Sequence, residues 1–353
     1  MEFIKPGIRV NFVGFRGYAA VLSALLILVS IFSLILRGGP NLGVDFKGGT
    51  LVQLRIPLNT GTSELREGLE ATGLKGAEVQ RFGDPKENEY VVRVEMSETG
   101  LETLSNQIKK GLEDRFGSDT VEIRRVEMVG PKAGRELTDK ALFALFFAIL
   151  FIAVYISGRF EMKWMASALM AASIGIPSYL LKDFVGLSYL IFLVVIITLG
   201  LCIVLRFRFA LGAVAALIHD VTITVGAFSL TNKEFTLPII AALLTIIGYS
   251  LNDTIVVFDR IRENMKKMRR EGLREIINTS INETLSRTIL TSLTTLVVVL
   301  ALFLLGGGVI HDFAFALLVG VIVGTYSSVF VASPILLYLE ERRGLPRRQP
   351  ASR

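Results

Sequence analysis

A series of apolar runs, each about as long as a bilayer is thick, dominates this chain. A helix needs about 20 consecutive apolar residues to span the hydrocarbon core. Runs that reach or approach this length occupy Gly17–Leu36, Leu137–Ile156, Met165–Leu181, Leu187–Leu205, Phe209–Leu230, Leu237–Phe258, Ile289–Leu305 and Phe313–Leu339. Lipid offers no partner for backbone amides, so each run has to be helical. The 52% hydrophobic content of the 353 residues fits a polytopic α-helical membrane protein and excludes an ordinary soluble fold. The first run is too long for a signal h-region and lacks a small-residue cleavage site, so it reads as an uncleaved anchor.

The basic residues alternate between loops. Lys5, Arg9 and Arg16 precede the first run. Arg159 and Lys163 follow the second, and Arg206 and Arg208 the fourth. A dense set from Arg260 to Arg274 follows the sixth, and Arg342, Arg343, Arg347 and Arg348 follow the last. The intervening loops hold little beyond Lys182 and Lys233. The positive-inside rule then predicts cytoplasmic termini. The net charge of +6 belongs to these loops and does not call for nucleic acid. The lone Cys202 lies inside a run; it forms no internal disulfide or cysteine-based metal site and reads as a packing residue.

The resulting organisation is a cytoplasmic N terminus (1–16), a first transmembrane helix (17–37), an outer domain (38–136), a transmembrane bundle (137–339) and a basic cytoplasmic tail (340–353). Strand-like Thr50–Ile56, Ala77–Phe82, Tyr90–Glu95 and Thr120–Met128 alternate with helical Ser63–Ala71, capped by Thr62 or Ser63, and helical Thr99–Phe116. Gly83–Asp84–Pro85 marks a turn between two of the strands. The order β-α-β-β-α-β predicts a small α+β ferredoxin-like domain. Between Asp259 and Arg287, apolar residues at helical spacing predict an amphipathic helix on the membrane surface, with a docking face for a cytoplasmic partner as the alternative.

Polar residues inside the runs are costly and mark candidate sites. In "SLNDTIVVFDRIREN", Asp253 lies well within its span beside Asn252 and Thr254, and shares a helix face with Tyr249 and Asn252. His219 and Asp220 sit near the middle of another span. Arg287 opens a third, followed by Thr288, Thr291, Ser292, Thr294 and Thr295. A desolvated carboxylate beside an arginine suits a proton relay, with His219 as a possible contributor. A permanent ion pair between Asp253 and Arg287, stitching two helices, explains the same residues. Gly320 and Gly324 have the small-xxx-small spacing of helix packing.

These residues fall in longer motifs. "GVDFKGG" (Gly43–Gly49, with Asp45, Phe46, Gly48 and Gly49), "ALGAVAALIHD", "SLNDTIVVFDRIREN", "SRTILTSLTTL" and "GTYSSVFVASP" occur in order along the chain. Together they resemble the SecF family, the membrane subunits of the SecD–SecF protein-translocation accessory complex and relatives of the RND transporters. The resemblance implies an RND-like bundle completed by SecD and association with the SecYEG channel. It also implies preprotein as the cargo, with room for YajC-like and YidC-like subunits. It places the chain in the bacterial inner membrane, makes it a transport protein and not an enzyme, and implies the proton gradient as energy source with no cofactor or metal. Asp253 and Arg287 match the proton-pathway positions of that family. One departure stands out: the junction begun by "RFEMKW" resumes only at "RFRFALGAV", so residues 162–206 hold about two additional apolar helices and the bundle about seven. Two rival functions remain, a stand-alone RND-type exporter of lipid or small molecules and an inert translocon scaffold.

Overall fold

The computed structural model describes residues 9–56, 60–74, 77–82, 87–94, 101–118, 120–181 and 187–341. The chain opens with α1 (Arg16–Leu36) and a one-turn α2 (Val44–Lys47), then enters the small domain. There β1 (Gly49–Arg55), α3 (Thr62–Ala71), β2 (Glu78–Phe82), β3 (Glu89–Val94), α4 (Leu101–Phe116) and β4 (Glu122–Val129) follow in the expected β-α-β-β-α-β order. The strands form one antiparallel sheet, β2-β3-β1-β4, with a register shift in β1 between Gln53 and Leu54.

The alternation of strand side chains divides this sheet into two faces. Val52 and Leu54 of β1, with Tyr90, Val92 and Val94 of β3, pack on Leu65, Leu69, Leu104, Ile108 and Leu112 of the two helices. Leu51 and Val91 point the other way, where they meet Val44 and Phe82. Gly61 is the residue before α3, and no side-chain cap is made there, contrary to the Thr62 or Ser63 expectation. The Gly83–Asp84–Pro85 turn, Met1–Ile8 and the tail from Arg342 onward lie outside the described residues.

The bundle comprises α5 (Pro131–Glu161), α6 (Trp164–Leu181), α7 (Leu187–Val204), α8 (Arg208–Thr231), α9 (Leu237–Lys267), α10 (Leu273–Leu305), α11 (Gly308–Ser327) and α12 (Ser333–Glu341). Among the described residues, six segments are long and apolar enough to cross a membrane: α1, α5, α8, α9, α10 and the stretch Ile310–Glu341. The additional apolar pair forms α6 and α7, neither of which is among those six segments; both pack against α5, and α7 also meets α8. Met170, Ile174 and Cys202 from this pair enter the same core as Phe160, Phe209 and Phe258.

The bundle departs from the sequence pattern in two further places. The last span is not one continuous α-helix, because Ser328–Ala332 form a π-turn between α11 and α12. Ser333 Oγ donates to Ser328 O at 2.9 Å, and Pro334 has no N–H to give the preceding turn. The loop 259–287 does not form a surface helix. Instead α9 continues to Lys267, and α10 begins at Leu273 after a short turn. The apolar stripe there, Ile276, Ile277 and Ile281, is buried in protein. Asn264 Nδ2 donates to Ser280 Oγ at 3.0 Å and to a Glu283 carboxylate oxygen at 2.7 Å, holding the two helices side by side. Protein contacts satisfy this stripe, so it has no need of the lipid interface.

The two ends of the bundle differ. The small domain sits over the end formed by the α8–α9 and α10–α11 connections, with a cleft of about 430 Å³ between them. The opposite end carries ion pairs of the basic segments: Arg159 with Asp259, Arg208 with Glu340 and Arg274 with Glu341, each at 2.7 Å.

Candidate functional site

α9 carries Asp253 near its middle, and packing against α8, α10 and α11 hides it. The side chain is buried at 3% exposure, and its Oδ2 has no hydrogen-bond partner among the described residues. Tyr249 OH, one turn earlier, and Thr288 Oγ1 on α10 are likewise buried without partners. Buried polar groups are almost always paired, and these three unpartnered atoms lie on the adjoining helices α9 and α10. Thr254 is buried beside Asp253, whereas Asn252 is exposed.

Arg287 does not form the direct ion pair that the sequence offered as the alternative to a relay. Its side chain is exposed and lies beyond the 4.0 Å of a salt bridge. Its charge still acts on Asp253, as does the Ser292 hydroxyl. Thr291 turns back on its own helix, donating to Arg287 O and Thr288 O at 3.0 Å each. Ser292 Oγ and Thr325 Oγ1 lie 2.7 Å apart and join α10 to α11. The polar stripe of α10 therefore divides between local bonds and the Asp253 face.

His219 and Asp220 form a separate and better satisfied site. Asp220 is fully buried and takes three hydrogen bonds. Its Oδ1 lies 2.8 Å from His219 Nδ1, and its Oδ2 accepts Ser250 Oγ at 2.6 Å and Ser327 Oγ at 2.8 Å. His219 Nε2 reaches Ser23 Oγ at 3.1 Å, and Ser23 Oγ lies 3.0 Å from Tyr326 OH, which donates to Ala19 O at 2.8 Å. This network ties α1, α8, α9 and α11 together. Nothing in the sequence pattern singles out Ser23, Ser250, Tyr326 or Ser327, although the last three lie within the segments Ser250–Asn264 and Gly324–Pro334. Serines beside tyrosines inside spans, Tyr249–Ser250 and Tyr326–Ser327, were the available signal; Ser23, between Leu22 and Ala24, carried none.

The glycine motif stands at the junction of bundle and small domain. Gly48 and Gly49 have φ of +77° and +120°. A Cβ on Gly49 would sit 2.9 Å from Val94 O, so only glycine fits. Asp45 Oδ2 accepts the Leu237 N–H at the start of α9 at 2.9 Å. The Phe46 ring packs 6.5 Å from that of Phe235.

The family profile described as "Protein export membrane protein SecD/SecF, C-terminal" matches residues 108–176 and 180–342, and that described as "SecD/SecF GG Motif" matches 33–56. The chain belongs to the SecD/SecF family. Within the family, it is 44% identical over 345 residues to a protein translocase subunit SecF of Magnetococcus marinus, covering 96% of this chain and 95% of the relative. The corresponding SecF of Calditerrivibrio nitroreducens is 39% identical over 346 residues, covering 97% and 98%. The crystal structure of SecDF from Thermus thermophilus, a translocon-associated membrane protein, matches with a TM-score of 0.70 at 34% identity. That match covers 97% of this chain but 40% of the SecDF chain, so this SecD/SecF family member spans less than half of that protein. A SecDF structure in a super-membrane-facing form matches with a TM-score of 0.62 at 35% identity.

Proposed function

We propose that this SecD/SecF family chain is a proton-driven accessory subunit of a protein export machinery. It acts in the bacterial inner membrane with a SecD-like partner and a SecYEG-type channel, and it draws preprotein toward the far side. The small domain is read as ferredoxin-like and extracytoplasmic, both termini as cytoplasmic, and α6 and α7 as an additional pair of crossings. Residues of the basic segments gather at the end opposite the small domain, which supports this orientation.

The observation that carries the reading is Asp253: a buried carboxylate with one unpartnered oxygen, within the field of a guanidinium it does not touch. An acid in a closed salt bridge would hold its charge. Asp253 has room to gain and lose a proton, and Arg287 senses the change without a bond having to break. Protonation removes the attraction between α9 and α10 and lets the two helices repack. Each proton that falls through 100 mV supplies about 2.3 kcal/mol, enough to shift a two-state element more than tenfold.

The test is preprotein export into membrane vesicles, with and without a proton gradient. Asp253→Asn is expected to abolish the gradient-dependent part while the protein inserts normally. Gradient-stimulated export at the wild-type rate in that variant would refute the reading. His219 and Asp220 are assigned a different task. Their hydrogen bonds are already satisfied, which favours a brace.

A further inference from the structure

Residues 234–237, the last of the α8–α9 connection and the first of α9, receive ties from the small domain and from the motif that leads into it. Phe235 N–H donates to Asn41 O at 2.7 Å, and Gly43 N–H donates to Phe235 O at 2.9 Å. The Phe46 ring lies against Phe235. Arg93, buried on β3, reaches Glu234 at 2.5 Å while its other nitrogen holds Glu78 at 2.8 Å. Asp45 accepts the Leu237 N–H across 192 residues of sequence.

The last bond completes the start of α9. The first N–H groups of a helix have no partner within it. Thr236, the residue before α9, provides no side-chain cap. Pro238 has no N–H, and Ile239 N–H is taken by Thr236 O at 3.0 Å. Leu237 N–H is the remaining donor, and Asp45 accepts it with a negative charge set at the positive end of the helix. The other side of the motif is fixed to the small domain and to α5. Gly49 begins β1, and a Cβ on Gly48 would meet Pro131 Cα at 3.0 Å.

We infer that the Gly43–Gly49 motif is a mechanical clamp, with Asp45 its positioning residue, that makes the small domain follow the outer end of α9. α9 is an uninterrupted helix of 31 residues whose one proline sits in its first turn. Asp253 lies about 24 Å along the axis from Leu237 at 1.5 Å per residue. A shift of α9 at Asp253 therefore reaches the clamp through a stiff rod. The motion at Asp253 rests on the proposed function above; the clamp does not.

The test uses the full chain in lipid nanodiscs, with spin labels at Glu122 on β4 and at Leu305, the exposed end of α10. Buried Cys202 stays in place. The wild type is expected to give one narrow label-to-label distance. Asp45→Ala broadens it, whereas Asp45→Asn keeps it narrow because the amide oxygen still accepts the Leu237 N–H. An Asp45→Ala distribution as narrow as the wild type would overturn the clamp. If Asp45→Ala does not insert, Asp45→Leu removes the acceptor while keeping a side chain of similar reach; it should broaden the distribution, and unchanged width there overturns the clamp equally.

A second comparison separates the clamp from the proton reading. Asp253→Asn is expected to move the mean distance when Asp45 is present and not in the Asp45→Ala background. The same movement in both backgrounds overturns the clamp. No movement with Asp45 intact removes the proton-driven shift of α9, and the width measurement then decides the clamp by itself.

Discussion

Asp220 Oδ2 accepts the Ser250 hydroxyl at 2.6 Å, locking α8 to α9 one turn before Asp253. The same oxygen takes Ser327 from α11, so a single carboxylate sets the mutual position of three helices. The acid that is braced and the acid left with an open oxygen are neighbours through α9, and they divide structure and work between them.

Replacing Asp220 with alanine would remove the acceptor of the Ser250 hydroxyl and leave His219 Nδ1 facing no carboxylate, while Ser327 keeps Gly324 O at 3.1 Å. Orphaned buried groups cost roughly 1–3 kcal/mol. Asp220→Ala is expected to lower unfolding stability in detergent by about that amount, with Asp220→Asn losing less because one oxygen still accepts. A thermal unfolding midpoint unchanged in Asp220→Ala would contradict the brace.

Gly324 lets α11 approach α9. A Cβ there would lie 2.9 Å from Ser250 Cβ and 3.4 Å from its Cα. Gly324→Val should push the helices apart and cost about 1–3 kcal/mol, the usual range for overpacking. The same unfolding assay measures it, and a neutral result would mean the helices are less tightly packed than described.

Gly49 combines a φ of +120° with the close approach of Val94 O. Gly49→Ala is therefore expected to destabilise the small domain by more than about 1 kcal/mol. Amide hydrogen exchange should show faster exchange in β1 and β3, with the bundle unaffected. Equal protection in the variant would contradict the account.

Glu234 gives the tie between small domain and bundle a pH dependence. Burial pushes its carboxyl above the ordinary value of 4.5, outweighing the Arg93 guanidinium, while Asp312 and Glu78 push the same way. The folded protein thus holds this proton more tightly than the unfolded chain does. That contribution to stability is complete below 4.5 and is lost as pH rises through the raised value. Glu234→Gln should flatten this part of the stability curve. Identical pH slopes for wild type and variant would show that Glu234 does not titrate in that window.

Much of this was legible in the sequence, for physical reasons that differ by element. The spans were visible because lipid demands long apolar helices, and the strands of the small domain because Val52, Leu54, Val92 and Val94 fall on alternate residues. Asp253 stood out because a carboxylate inside a span is costly. The missing Asp253–Arg287 contact was not legible, since helix rotation about the axis decides whether two side chains meet. The surface helix expected at 259–287 failed because periodicity reports an apolar face without saying what covers it. The Asp45–Leu237 bond joins positions too far apart in sequence for any local pattern to reveal.

Infrared difference spectroscopy of the full chain in proteoliposomes, recorded with the proton gradient on and off, reads the protonation of Asp253 itself. A carboxylic acid C=O band that responds to the gradient and is absent in Asp253→Asn is expected. A spectrum with no gradient-dependent carboxyl band, or one that persists in Asp253→Asn, would contradict a proton relay at Asp253.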